Sequence, residues 1–152
     1  MTDSIAFTST SARFGLPFLI AGQAQKEFTV NQATAMTDAL MHASVIAERA
    51  DPPAAPAEGD SYIIAANAGS VWAGKTGYLA SYQGGVWIMV APIIGMRVFD
   101  QSSRQMIHFD GIWVRPVTPV MPVTGVTQDT ELRQAFTDLI ERLKEAKILT
   151  AT

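Results

Sequence analysis

Between residues 60 and 117 the chain contains six short segments rich in aromatic and β-branched residues, separated by clusters of Gly, Asn, Asp and Ser. The segments are SYIIAA, GYLASY, VWIMVAP, MRVFD, QMIHF and IWVRPV. Short apolar runs divided by turn residues at such regular intervals are typical of antiparallel β-structure. Residues 60–117 therefore predict a small antiparallel β-meander or barrel, and helices are expected only outside this stretch.

The first helical pattern lies before the β-rich stretch. Residues 29–50 repeat small and apolar side chains at alternating spacings of three and four, which predicts a helix. Thr29 or Asn31 could cap its first exposed amides. The prolines of DPPAAPAEGD must end it before Asp51, because proline cannot continue a helix.

The second helical pattern, in residues 123–152, follows a proline-rich stretch. Thr127 or Asp129 is positioned to cap TQDTELRQAFTDLIERLKEAKIL. Its apolar seam consists of Leu132, Phe136, Leu139 and Leu143, widened by Ile140. Spacings of four and three are those of a coiled-coil seam. Such a seam could pack on the chain's own sheet or on sister helices, and we expect self-association through it.

These patterns together predict an α+β protein of 152 residues. We expect an N-terminal arm at residues 1–14, which is rich in Ser and Thr, a main domain at residues 15–122, and a C-terminal amphipathic helix within residues 123–152. The chain is long enough to bury one substantial core.

The amino-acid composition argues against several classes of function. Charged residues make up only 16% of the chain and apolar residues 48%, so we expect part of the surface to be covered by another chain. The net charge is −3 and no basic block occurs, which argues against a nucleic-acid partner. The chain contains no cysteine, and its longest apolar run is too short to span a membrane. Its N-terminus lacks the pattern of a secretory signal.

The stretch GSVWAGKTG, residues 69–77, matches the spacing of a nucleotide-binding P-loop. A functional P-loop needs a strand before the loop and a helix after it, so that backbone amides and the helix N-terminus converge on phosphate. The residues after Thr76 carry a strand pattern instead, and bulky Trp72 lies within the loop. We therefore interpret residues 69–76 as a chance match and expect Lys75 on an exposed turn.

The sequence gives only weak signals for metal binding or for catalysis by carboxylates. His42 and His108 have no second metal ligand at a useful spacing, and we expect neither to bind a metal. Asp60, Asp100 and Asp110 lie at turns, where Asp commonly serves turn geometry. We predict no catalytic residue and no cofactor.

Two hairpins repeat one pattern. LASYQGGVW and MIHFDGIW each run from a strand through an aromatic residue and a Gly-containing turn to tryptophan. In each hairpin the aromatic residue and the tryptophan can form a cross-strand pair. The residues Tyr82, Trp87, Phe109 and Trp113 could form a platform for sugar rings, or they could fill the core of the β-domain.

A polar segment precedes the first helix. Gln23-Ala24-Gln25-Lys26 begins it, and further polar residues continue it to Gln32. Such amides suit hydrogen bonds to nearby backbone or across a subunit interface, and a small-ligand site here is an alternative.

The segment LPFLIAGQAQKEFTVNQATAMTDAL, residues 16–40, resembles the opening signature of an uncharacterised domain family found in alphaproteobacterial tailed phages, prophages and gene transfer agents. The resemblance rests on the Leu-Pro pair, the Gly-Gln-Ala-Gln-Lys-Glu run and the late Asp-Ala-Leu. It continues through a proline-rich loop, the Gly-Asp-x-Tyr-Ile strand, the Trp-Ala-Gly turn and the Gly-x-Trp hairpins, and covers about residues 14–115.

The resemblance implies a non-enzymatic structural virion protein, located on a capsid surface or tail. We expect the base or adaptor of a head spike or fibre used in host attachment. Its expected partners are copies of itself, as a trimer or pentamer, together with capsid proteins and a fibre protein. The alternative is a carbohydrate-binding module for cell-surface polysaccharide.

Overall fold

A computed structural model describes residue 22 and residues 24–120 and 129–150 of the chain. In chain order its elements are helix α1 (Lys26–Leu40), strands β1 (Ser44–Val45), β2 (Ala47–Arg49), β3 (Ser61–Ile64), β4 (Leu79–Gln83), β5 (Val86–Val90), β6 (Arg97–Asp100), β7 (Gln105–Phe109) and β8 (Trp113–Val114), and helix α2 (Thr130–Glu145). The α+β class is confirmed. The arm predicted at residues 1–14 lies outside the described residues.

The first helix differs from its prediction over residues 29–50. It begins at Lys26 after Gln25, whose side chain makes no capping bond, and it ends at Leu40. His42 then adopts φ 58°, and residues 44–49 form β1 and β2. β-branched Val45 suits a pleated strand and is completely buried, so sheet packing overrides the helical spacing of this segment.

The strands form two open four-stranded sheets rather than a closed barrel. The first sheet has the order β1-β6-β7-β8 and the second the order β2-β3-β4-β5. The six strands predicted between residues 60 and 117 are present. Strands β3, β4 and β5 pair antiparallel in one sheet and β6, β7 and β8 in the other, whereas β5 and β6 do not pair. The two short strands after α1 add a parallel neighbour to each sheet, which the sequence pattern did not predict.

The second sheet is packed on both faces, and side chains of β3 alternate between the two cores. Ile63 belongs to a core formed with Met36 of α1 and with Val98 and Ile107 of the first sheet. Ile64, next along the strand, packs instead in a second core that contains Trp72. This alternation follows from the two-residue period of a strand.

Helix α2 is capped at both ends. Asp129 accepts a hydrogen bond from the backbone N–H of Leu132 at 2.8 Å, which confirms Asp129 as the cap; Thr127 lies outside the described residues. At the other end Lys147 has φ 59°, and the N–H groups of Lys147 and Ile148 donate to the carbonyls of Lys144 and Leu143. This is the Schellman arrangement. The Lys147 carbonyl then accepts the N–H of Met106 at 2.7 Å, which attaches the end of α2 to β7.

Candidate functional site

The two predicted aromatic pairs form across their hairpins. Tyr82 lies opposite Trp87 with ring centroids 5.0 Å apart, and Phe109 lies opposite Trp113 at 5.3 Å. The pairs belong to different sheets and pack with different cores. Among the described residues no ring contact joins one pair to the other, so the four side chains form two separate pairs rather than one platform.

The tryptophans of these pairs are engaged in packing. Trp87 contacts Trp72 edge-on at 5.0 Å and Tyr62 at 6.1 Å. The Trp113 indole N–H donates to the carbonyl of Gly77 at 2.8 Å. Both indoles are half-buried. Their contacts stabilise the connection between the hairpins and the loop 65–78.

The loop that matches a P-loop connects β3 to β4. Trp72 ends a turn of 3-10 helix and is fully buried. Lys75 is exposed, as predicted, with its amine 5.0 Å from the centroid of the Tyr78 ring. A Cβ added at Gly69 would lie 2.9 Å from a carboxylate oxygen of Asp51. The loop therefore holds an acidic neighbour, which disfavours phosphate, and a strand follows it in place of a helix.

A cleft of about 720 Å³ lies between α1 and the β4–β5 hairpin. Its lining consists of Phe28, Asn31, Gln32, Ala35 and Met36 from α1 and of Gln83, Gly84, Val86, Trp87, Ile88 and Met89 from the hairpin. None of these described lining residues is charged. Of the polar segment predicted before the first helix, Asn31 and Gln32 reach this cleft, whereas Gln23 lies outside the described residues.

The hairpin that borders the cleft is held at its tip. Gly84 and Gly85 both have positive φ, 61° and 79°, as the two-residue type I′ turn requires. Their N–H groups donate to the two carboxylate oxygens of Glu58, at 2.7 and 3.2 Å. These two bonds attach the end of the hairpin to the loop 51–60.

Asp100 is the most strongly constrained ionisable group in the described part of the chain. It is 1% exposed and accepts hydrogen bonds from the backbone N–H and hydroxyl of Ser102 and from Nε of Arg115, at 2.9, 2.6 and 3.1 Å. Burial by itself raises the pKa of Asp100, but the bonds from Ser102, Arg115 and the Ser103 N–H together hold that pKa below its ordinary value. Arg115 also pairs with Glu48 of β2 at 2.9 Å, so it links the two sheets.

This arrangement is structural rather than catalytic in geometry. The Asp100 carboxylate points into a buried turn and is saturated with donors, as the turn interpretation of Asp100 implied. The link to Arg115 was not predicted, because β6 and the residue after β8 become neighbours only through the sheet. Among the described residues no cluster of three or more His, Asp or Glu side chains could hold a metal ion. Nor is any helix in this part of the chain both long and apolar enough to cross a membrane.

The predicted seam of α2 divides into a buried and an exposed part. Ile140 is 4% exposed, whereas Leu132 and Leu139 are 66% and 54% exposed. Phe136 and Leu143 are half-buried. Consecutive helical residues differ by about 100° in direction, so Ile140 lies about 80–100° around the helix from Leu132 and Leu139. The described residues leave the face that carries Leu132 and Leu139 uncovered, and this apolar face is here called the α2 seam.

Comparison with known proteins identifies one family. The model of a family described as "Protein of unknown function (DUF2793)" matches residues 30–114, more than half of the chain. The matched residues span α1 from its second turn, both sheets and the loop between β3 and β4. A search of curated proteins found no match.

Proposed function

Since the chain belongs to the DUF2793 family, whose function is unknown, we propose from its own residues that it is a non-enzymatic structural protein that works as a homo-oligomer. We propose further that it is the base or adaptor of a head spike or fibre on a phage or gene-transfer-agent particle. The virion assignment is supported by the resemblance of residues 14–115 alone. The oligomer is supported by the structure of α2.

The observation that carries the proposal is the α2 seam. Leu132 and Leu139 expose more than half of their surface, on a face about 80–100° around the helix from the buried Ile140. Burying a leucine side chain stabilises a protein by about 1.5–3 kcal/mol. Exposed leucines at coiled-coil spacing, next to a half-buried Phe136, are therefore expected to be covered by another subunit.

The α2 seam can be covered by another subunit in two ways. The α2 helices of different copies can pack directly on each other, or each α2 can pack on the body of the next subunit in a ring. Such a head-to-tail interface closes when the rotation between copies divides a full turn, and both trimers and pentamers satisfy that condition.

The test is the mass of the purified full chain by light scattering, for wild type and for the double variant Leu132→Lys/Leu139→Lys. We expect a trimer or pentamer for wild type and a folded monomer for the variant, because both leucines are exposed in the single subunit. Gln134→Lys, an exposed polar position on the same helix, is the matched control and should leave the assembly intact. A wild-type monomer at micromolar concentration would refute the proposal.

The virion part needs a separate measurement. Particles induced from a strain that encodes this chain can be purified and imaged with a labelled antibody, and the chain is expected at a symmetry axis of the capsid or tail. Purified particles that lack the chain would refute the virion assignment while leaving the oligomer untouched.

The carbohydrate-binding alternative receives less support. Its four proposed residues form two pairs on different sheets, and Trp87 uses its ring to pack on Trp72 and Tyr62. A stacking platform needs a free aromatic face.

A further inference from the structure

Strand β5 has one edge with which no other described strand pairs. It is the last strand of the second sheet. In an antiparallel hairpin, opposite residues alternate between pairs that exchange hydrogen bonds and pairs that do not. With a two-residue turn, Tyr82–Trp87 and Ala80–Met89 are pairs of the second kind. Tyr82 accordingly bonds to Gly59 and Asp60 on its other side. The N–H and C=O groups of Trp87 and Met89 thus point away from β4, and no backbone bond to them occurs within the described residues.

The cleft beside α1 runs along this free edge. Four consecutive residues, 86–89, line it, although successive side chains of a strand point to opposite faces. Trp87 packs in the second core and Ile88 against the first. Residues that face opposite ways can line one cleft only where it meets the backbone edge. The far wall is α1, with Phe28 and Ala35.

An unpaired strand edge that faces a helix across a groove suits one kind of occupant. An extended peptide adds to such an edge by main-chain hydrogen bonds, and its alternate side chains enter the groove. The volume of about 720 Å³ lies within the range of ligand sites. Because the described lining of the cleft carries no charge, the occupant is expected to be uncharged.

The chain itself contains a segment of this character. Residues 4–12, SIAFTSTSA, carry no charge and include β-branched Ile and Thr residues. Ile5 and Phe7 are two positions apart, so in an extended segment they share one face and match the apolar wall of Phe28 and Ala35. The segment lies outside the described residues, and it precedes α1 in the sequence.

We propose that residues 4–12 of a neighbouring copy pair with β5 and occupy the cleft, so that exchanged arms join the subunits of the oligomer. The inference rests on the proposed homo-oligomer. Residues 13–21 connect this segment to Gly22, and if extended they could span up to about 30 Å.

The direct test uses a fluorescent synthetic peptide of residues 1–14 and a chain that lacks those residues. We expect saturable binding. Ala35→Trp fills the cleft and should weaken binding at least about tenfold, a difference of about 1.4 kcal/mol, whereas Thr34→Trp, exposed on the same helix and outside the cleft, should not. A peptide with Ile5→Asp and Phe7→Asp should not bind. Circular dichroism checks that each variant is folded.

The peptide titration measures whether the cleft binds the arm segment, and light scattering measures whether exchanged arms join the subunits. Loss of the oligomer on deletion of residues 1–14 supports the inference. An oligomer that survives this deletion but is lost in Leu132→Lys/Leu139→Lys overturns it and leaves the proposed function intact. A full-length monomer whose truncated form binds the peptide places the arm on its own subunit and also overturns it.

Two further outcomes concern the occupant. Failure of the peptide to bind overturns the inference. If a neutral oligosaccharide such as maltohexaose binds where the peptide does not, and Ala35→Trp abolishes that binding, the cleft is a sugar site and the inference is also overturned.

Discussion

Replacing Asp100 with Asn tests whether the bridge between the two sheets contributes as its geometry implies. The side chain keeps its size and can still accept the bonds from Ser102 through its carbonyl oxygen. It loses the charge and presents an NH₂ group to Arg115, where Nε now donates to a carboxylate oxygen at 3.1 Å. One charge-assisted hydrogen bond is therefore removed from a site that is 1% exposed.

The expected loss of stability depends on the interactions that Asp100 and Arg115 retain in the variant. A hydrogen bond to a charged group contributes about 1.5–3 kcal/mol. Loss of one partner of a fully buried pair costs about 3–5 kcal/mol, because the other charge is left without compensation. Here the Arg115 side chain is 32% exposed and retains Glu48 at 2.9 Å, so the larger cost does not apply. We expect Asp100→Asn to lower the free energy of unfolding by about 2 kcal/mol, or the melting temperature by about 4–8 °C.

The effect should depend on pH with a defined sign. The pKa of Asp100 is lowered in the folded protein, so the folded state favours the ionised form. Its contribution is fully present above the unfolded pKa of about 3.9 and is lost as pH falls through the lower folded pKa. The difference between wild type and Asp100→Asn should be constant from about pH 5 to 7 and shrink below about pH 4.

Urea unfolding followed by tryptophan fluorescence, between pH 3 and 7, measures both quantities. Glu48→Gln is the control, since it removes only a partly exposed ion pair and should cost less than about 1 kcal/mol. A loss below about 0.5 kcal/mol for Asp100→Asn at pH 7, or a loss that stays unchanged at the acid end, would refute the reasoning.

Four further changes test other parts of the fold. Lys147→Gly should stabilise the protein by up to about 1 kcal/mol in urea unfolding, because Lys147 has φ 59° and glycine adopts this conformation without strain; destabilisation would contradict the Schellman end of α2. Gly85→Ala should destabilise by about 1–2 kcal/mol, since φ is 79° there, and an unchanged midpoint would argue against the type I′ turn. Trp72→Ala should cost about 3–5 kcal/mol as a buried truncation. Lys75→Ala should be neutral, and Mg-ATP should not raise the melting temperature of the wild type; a clear rise would revive the P-loop interpretation.

Much of the fold could be predicted because its signals are local. The strands between residues 60 and 117 follow from short apolar runs and turn residues. The Tyr82–Trp87 and Phe109–Trp113 pairs follow from hairpins only four or five residues wide, and the cap of α2 from Asp129 and the first turn. Each depends on residues that are close in the chain, where steric and hydrogen-bonding preferences act directly.

The predicted bounds of the first helix, residues 29–50, were wrong at both ends. The early C-terminal end has a non-local cause. The spacing of the segment is compatible with a helix through Ala47, but burial of Val45 between the sheets and its pairing with Asp100 stabilise a strand. Helical propensity differs by only fractions of a kcal/mol per residue, which is less than such burial contributes.

The features of the candidate sites can likewise be separated into those set by local sequence and those set by tertiary contacts. The sequence by itself determined the aromatic pairs, the heptad spacing of α2 and the failure of the P-loop context, because these are patterns within one segment. Only the tertiary structure decided that Leu132 and Leu139 face outward and that Asp100 meets Arg115 fifteen residues away. It also decided that the edge of β5 with which no described strand pairs faces α1 across a cleft. Which face of an element is covered depends on partners distant in the chain, and burial of those faces contributes more free energy than local preference does.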